Sequence, residues 1–394
     1  MNPLRLFSAS VVKILMSAFF AGMGLSLSWL LLNFHLEALG FDRALIGYAN
    51  AVPAFSMVLF GLPISLVMPR LGYVRSLWLG GAVAASGALL IAWGAGVALV
   101  FAGLAGFGLG MALLMGATTP LLARLVPGPQ QVAAFSWKAA LGTGAGFLGN
   151  LVGGYLSARL GGPSQVIYLV PLVFAFSLLP LRGIRWQLGE GTGRFRLRSR
   201  ALWGKLLLPQ LLVSLGAGGV MPFLNLYLEN KFGLSYQTIG VIFAFSALAT
   251  MLAMLIQPYL AKRFGKVGAI AFMQGGSLPF ILILAYAPFL PLVTVALFMR
   301  GALMNAANPV FAALAMERLA EEERATFMLA QTALWNVGWA LSSSISGRLQ
   351  AALGLAAFDY LFAAMLVFYA LATLLYLYFF RRPGLATPQP QFGD

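Results

Sequence analysis

Apolar runs of about 20 residues or more, separated by short clusters of Gly, Pro and charge, recur along the whole chain. A helix needs about 20 such residues to cross the hydrocarbon core of a bilayer. The pattern predicts spans near 11–36, 44–68, 76–94, 97–122, 132–158 and 164–182, then near 204–229, 237–261, 267–286, 290–316, 324–350 and 355–380. The fold class expected is an all-α polytopic membrane protein of twelve transmembrane helices. Its domains are an N-terminal six-helix half (1–182), a basic linker (183–203), a C-terminal six-helix half (204–381) and a tail (382–394). The first run lacks an A-x-A-like cleavage site and is long enough to stay in the bilayer as the first span.

The two sets of spans repeat one another. "FHLEALGFDRALIG" from Phe34 and "YLENKFGLSYQTIG" from Tyr227 align through Gly40/Gly233, Ile46/Ile239 and Gly47/Gly240 at an offset of 193. The same offset pairs Arg70, Gly72 and Val74 with Arg263, Gly265 and Val267. Further on, an offset of 189 aligns Pro120 with Pro309 and Gly149 with Gly338. Six spans per repeat preserve orientation, so two parallel halves are expected around a central cavity.

Composition narrows the chemistry. Of 394 residues 61% are hydrophobic and 9% charged, where soluble domains carry roughly 25% charged residues. The +15 net charge is explained by loop Lys and Arg that orient a polytopic chain rather than by a nucleic-acid partner. With Lys138 and Arg300 set aside inside spans, one side of the membrane holds 19 Lys and Arg, and the other holds Arg43, Arg159, Lys231 and Arg348. Both termini and the linker are therefore expected in the cytoplasm, with the protein in the inner membrane of a prokaryote. The linker carries Arg194, Arg196, Arg198 and Arg200 at alternate positions, a stripe suited to anionic lipid if extended and otherwise a solvated positive-inside segment. Cysteine is absent and His35 is the sole histidine, which excludes disulfides, thiol nucleophiles and His-rich metal sites. No G-x-x-x-x-G-K-[ST] run is present, so uphill work would draw on an ion gradient or a partner. No metal, cofactor or enzymatic activity is expected.

The loop between spans two and three reads "SLVMPRLGYVR", and its counterpart between spans eight and nine contains "PYLAKRFGKV". Span five reads "AGFLGNLVGG" from Ala145. On these motifs the whole chain resembles the major facilitator superfamily. The loops are similar to that family's G-x-x-x-D-R-x-G-R-R signature, which implies gating roles for Arg70, Gly72, Arg75, Lys262, Arg263 and Gly265. The acidic position is taken by Pro69 and Lys262; the basic residues instead have Glu321, Glu322 and Glu323 as possible partners. Span five resembles the antiporter signature G-x-x-x-G-P-x-x-G-G, with Gly149, Gly153 and Gly154 in place and Asn150 where the proline stands. These four are assigned to helix packing.

Polar residues inside spans point to a cavity or a partner. Ser26, Trp29, Asn33 and Glu37 form one stripe on span one, and Gly218, Pro222, Asn225 and Glu229 repeat it on span seven. Gln331 and Trp335 share a face of span eleven with Trp339, beside Asn336. Arg300 lies near mid-depth in span ten with Asn308 two turns on, and Asp359, Glu37 and Glu229 are its candidate counter-charges. Lys138, less than two turns into span five, is expected to snorkel to the membrane surface. Substrate binding is thus assigned to Arg300, Asn33, Trp29, Asn225, Gln331, Trp335, Asn336 and Asn308, and proton coupling to Glu37, Glu229 and Asp359. Three functions stay open: proton-coupled efflux of amphipathic or drug-like small molecules by alternating access; carriage of a small organic anion or anionic lipid-like solute; and a non-transporting membrane sensor. The expected partners are a small-molecule substrate, membrane lipids and protons, with the chain acting as a monomer.

Tags placed at residue 2, within 190–200 and after Pro383 are expected to report the same, cytoplasmic, side, because the charge asymmetry spans every short connection. An external signal from the 190–200 insertion would overturn the twelve-span topology.

Overall fold

The computed structural model describes residues 7–126, 128–184 and 199–380; linker positions Arg194, Arg196 and Arg198, the tail 382–394 and the side chains of Pro69 and Glu321 lie outside that description. Among the described residues every regular element is helical, as hydrocarbon demands when each backbone N–H and C=O has to pair within its own segment. The elements are α1 (Ala9–Ala38), α2 (Arg43–Leu71), α3 (Tyr73–Trp93), α4 (Val97–Leu125), α5 (Gly128–Arg159), α6 (Pro163–Val166), α7 (Leu169–Phe176), α8 (Arg200–Val220), α9 (Leu224–Phe232), α10 (Tyr236–Tyr286), α11 (Leu290–Arg318), α12 (Glu321–Leu353) and α13 (Ala357–Phe380).

Ten stretches are long and apolar enough to cross a membrane. Helix α5, with its polar start, adds another crossing, and the stretch Glu322–Phe380 is two passes divided at the 3-10 turn Gly354–Ala356. The described residues therefore make twelve passes. The sixth is broken into α6, α7 and the turn Leu179–Leu181, and the seventh into α8 and α9 by the turn Met221–Phe223. Helix α10 holds two passes, interrupted at Gly265.

Gly72, between α2 and α3, has φ 89° and ψ 137°; Gly265, its repeat partner inside α10, has φ 71° and ψ 165°. Both conformations are open almost only to glycine, so the loop motif is first a backbone requirement. Arg70, Arg75, Lys262 and Arg263 around these turns are exposed. Lys266 pairs with Glu317, and Arg263 lies over the ring of Phe264 at 5.4 Å. Glu323 is buried and accepts from the Ser199 backbone N–H at 2.9 Å and its hydroxyl at 3.2 Å, ordering the entry to α8.

Two compact units emerge, one within Met1–Arg194 with Gly218–Leu248 and Trp339–Leu361, the other within Phe195–Ala217, Ala249–Gly338 and Phe362–Asp394. In the first, α3 packs along α4, α4 along α2, and α1 along α5 and α7. The α3–α4 approach is so close that a Cβ at Gly87 would lie 2.6 Å from the Gly103 carbonyl, as in small-residue packing of membrane helices. His35 joins α1 to α3 and α6: Nε2 lies 3.0 Å from the Ile91 carbonyl and Nδ1 3.1 Å from the Ser164 hydroxyl. A carbonyl only accepts, so Nε2 carries the proton. The second unit has a core of Leu206, Ile270, Met273, Phe311, Phe327 and Tyr376, and Gln210 donates to the Tyr376 hydroxyl at 2.8 Å.

Gly72→Ala is expected to destabilise by about 1–3 kcal/mol through backbone strain. Gly142→Ala, inside α5 where a Cβ meets nothing within 4 Å, is expected to be neutral or to stabilise by up to about 1 kcal/mol. Thermal midpoints of the two variants check the contrast.

Candidate functional site

The polar stripes on α1 and on α8–α9 meet inside the first unit. Pro222 has no N–H to donate and sits in the turn that interrupts the seventh pass. Asn33 fills the break: its Nδ2 donates to the Pro222 carbonyl and, at 3.1 Å, to Oδ1 of Asn225. Asn225 returns the contact, its Nδ2 donating to the Leu30 carbonyl at 3.0 Å. Leu30 and Pro222 are 192 residues apart, as are Asn33 and Asn225, so the exchange is symmetric. Asn50 of α2 donates to Oδ1 of Asn33 at 2.8 Å, and the Leu226 N–H donates to Oδ1 of Asn225 at 2.9 Å. Asn33 and Asn225 are each 1% exposed. A buried amide left without a partner costs about 1–3 kcal/mol, whereas a made bond contributes only about 1 kcal/mol net, so the network is held chiefly by the cost of breaking it.

One turn beyond Asn33, Glu37 pairs with Arg43 at 2.7 Å. Glu229 lies within electrostatic reach of both. Nη1 of Arg43 is buried without a hydrogen-bond partner. One turn to the other side, Trp29 meets Trp339 edge-on, ring centroids 5.4 Å apart, and Trp29 remains 45% exposed. The Trp339 backbone runs against Gly218, where a Cβ would come within 2.8 Å of it. A cavity of about 620 Å³ opens beside the network, bounded by Phe34, Ser157, Gly161, Ser164, Ser235 and Tyr236.

Two backbone crossings flank the network. A Cβ at Gly47 of α2 would lie 2.7 Å from Cα of Gly347 on α12, and one at Gly154 of α5 would lie 2.8 Å from Cα of Gly240 on α10. The crossings are repeat equivalents, and they map the fifth pass onto the eleventh at an offset of 193. That is one helical turn from the 189 that aligns Gly149 with Gly338. Gly149 and Gly153 pack α5 against Met23, Ser26 and Leu27 of α1, while the Asn150 carbonyl lies at Gly240. Next to the Gly47 crossing, Arg348 donates to the Tyr48 hydroxyl and lies over its ring at 5.3 Å.

The other assigned residues stand elsewhere. Arg300, 6% exposed, donates to the Tyr369 hydroxyl, and its guanidinium lies 5.4 Å from that ring's centroid. Asp359 is exposed at the start of α13, within electrostatic reach of Lys231. In the second unit, Gln331 has a buried Oε1 without a hydrogen-bond partner, the Trp335 carbonyl accepts from Ser214, Asn336 donates to the Thr332 carbonyl at 2.8 Å, and Asn308 is exposed. Asn50, Arg43, Trp339 and Tyr369 complete these contacts and were not assigned from the sequence. Asn50 was within reach, since Arg43, Gly47 and Asn50 share one face of α2 at spacings of 4 and 3.

The sequence profile described as Major Facilitator Superfamily matches residues 14–342 and 206–394. No curated protein matches the sequence significantly. Among solved structures, a variant of the nucleoside transporter NupG shares 15% identity over 94% of this chain and 99% of its own, at a TM-score of 0.78. A bacterial homologue of the human lysosomal transporter Spinster, inward-facing and occupied, shares 14% over 93% and 95% at 0.76. A bacterial homologue of the iron transporter ferroportin, inward-facing, shares 15% over 96% and 99% at 0.73. At these identities the comparison concerns fold: twelve helices in two six-helix repeats.

Asn225→Ala is expected to lower stability by about 1–3 kcal/mol and to loosen the contact between α1 and α9. The chain has no cysteine, so Ser26→Cys provides a single thiol below the network. Its labelling by a reagent added on the Glu37 side should be faster in the Asn225→Ala background; unchanged labelling and thermal midpoint would contradict the role given to the network.

Proposed function

The chain belongs to the Major Facilitator Superfamily, a family of transporters rather than enzymes, and from that premise we propose that it is a secondary active carrier exporting amphipathic or drug-like molecules in exchange for protons that enter down their gradient. The observation that carries this reading is the closure made by elements of both repeats. A symmetric amide exchange and two symmetric glycine crossings join elements of both repeats within the first unit, and in this reading that junction seals the carrier and has to come apart for a substrate to pass. In this reading the halves 1–182 and 204–381 rock about the central site. Lys and Arg counts put the sealed end outside and both termini in the cytoplasm of a prokaryotic cell.

Substrate and coupling follow from what flanks the seal. Trp29 and Trp339 offer ring faces on its inner side, suited to flat or amphipathic molecules. Glu37, Glu229 and Arg43 gather on its outer side, where two carboxylates share one cation. A proton arriving from outside can replace Arg43 as the partner of one carboxylate, and this exchange would tie closure to protonation. Structural relatives with nucleoside and iron transport in their names do not select a substrate.

Purified protein in liposomes with an imposed pH gradient should accumulate an amphipathic dye. The double variant Glu37→Gln, Glu229→Gln should lose most of that accumulation while keeping dye counterflow, which needs no proton. Accumulation with an unchanged pH dependence would remove proton coupling through this pair; absence of both accumulation and counterflow would remove the dye-like substrate class.

A further inference from the structure

Lys138 lies ten residues beyond the start of α5 at Gly128, about 15 Å along the helix axis. Its side chain reaches across to α4, where Nζ donates to Oγ1 of Thr119 at 2.6 Å, six residues before that helix ends at Leu125. Lys138 is half-buried and Thr119 exposed. A hydroxyl is a neutral acceptor that occupies one of the three ammonium protons and brings no counter-charge. The nearest carboxylates in sequence are no help. In residues 1–182 the only acids are Glu37 and Asp42, which stand where α1 ends and α2 begins, at the opposite end of the bundle from the α4–α5 turn.

Helix α5 also leaves room beside this cation. Its small residues divide into two groups. Gly149, Gly153 and Gly154 are pressed against neighbouring helices, whereas a Cβ at Gly142 or Gly144 would meet nothing within 4 Å. Gly142 is one turn from Lys138 on the same face, and Ala139 and Ala140 are exposed. An ammonium with two donors to spare, a hydroxyl able to donate as well as accept, and the open space at Gly142 stand side by side.

We propose that Lys138 and Thr119 form a binding site for the anionic oxygens of an amphipathic molecule, phosphate or carboxylate, whose apolar part lies along the Gly142 face of α5. The proposal rests on the reading of the chain as a carrier of amphipathic solutes and gives the solute's polar end a negative charge. Thr119 then donates its proton to the anion while Lys138 supplies charge-assisted bonds. The same chemistry belongs to a transported solute and to an anionic lipid headgroup.

The full-length protein in nanodiscs of zwitterionic lipid distinguishes these sources. Octyl phosphate should raise the thermal midpoint saturably, and octyltrimethylammonium should not. Lys138→Gln should weaken the octyl phosphate response by about tenfold or more, the loss of a charge-assisted bond, with Lys138→Arg retaining it and Thr119→Val intermediate. The wild-type contrast between anion and cation needs no variant, so a misfolded Lys138→Gln leaves the test intact. If octyl phosphate is silent but phosphatidylglycerol in the disc raises the midpoint, and Lys138→Gln abolishes that, the site takes a lipid headgroup. Equal responses to anion and cation, no response to either anion source, or a Lys138→Gln protein that responds like wild type would overturn the site. Liposome flux separates this from the carrier reading: Lys138-dependent binding without flux keeps the site and removes carriage, and anion flux untouched by Lys138→Gln removes the site and keeps carriage.

Discussion

A polar group inside a bilayer has no water to fall back on, and the architecture around Asn33 follows from that. Pro222 lacks the N–H that would bond four residues back, and the seventh pass breaks into α8 and α9; the Leu226 N–H, the helical donor to the Pro222 carbonyl, turns to Oδ1 of Asn225 and leaves that carbonyl in need of a donor. Asn33 supplies it from another helix, and in doing so brings in Asn225, Asn50 and the Leu30 carbonyl. The break and the amides are a single arrangement: neither is tolerable in hydrocarbon without the other. The tryptophan pair and the Glu37–Arg43 ion pair are then placed by helical spacing alone, one turn to either side.

Glycine does for shape what asparagine does for polarity. At Gly47/Gly347 and Gly154/Gly240 the backbones approach closer than any side chain would permit. Membrane helices gain little from burying apolar surface against one another, because lipid tails are equally apolar; close packing and hydrogen bonds carry the association instead. Arg300 shows the same constraint resolved differently, by a tyrosine hydroxyl and ring rather than by an amide.

Much of this was legible in the sequence, and the division has a physical cause. Helices that cross hydrocarbon need long apolar runs, so all twelve passes were visible, and glycine conformations that other residues cannot adopt made Gly72 and Gly265 conspicuous as a repeated pair. The stripes carrying Asn33 and Asn225 followed from helical spacing. That the two asparagines bond to each other did not, because spacing describes one helix at a time. Reasoning from charge looked for carboxylates beside Arg300 and did not foresee neutral partners: Arg300 donates to the Tyr369 hydroxyl and Lys138 to that of Thr119. Nor did it foresee that Glu323 accepts from the backbone N–H of Ser199. The fifth and eleventh passes slipped by one turn in the alignment because a helix rich in Gly and Ala matches itself nearly as well after four residues.

The glycine crossings carry a consequence for descent. Each joins a residue of one repeat to a residue of the other, so neither member can gain a side chain while its opposite stays as it is. A chain that arose by duplication would ordinarily let its halves drift apart in sequence, as most of these two have. At Gly47, Gly154, Gly240 and Gly347 that freedom is absent, and each half remains the template against which the other is kept.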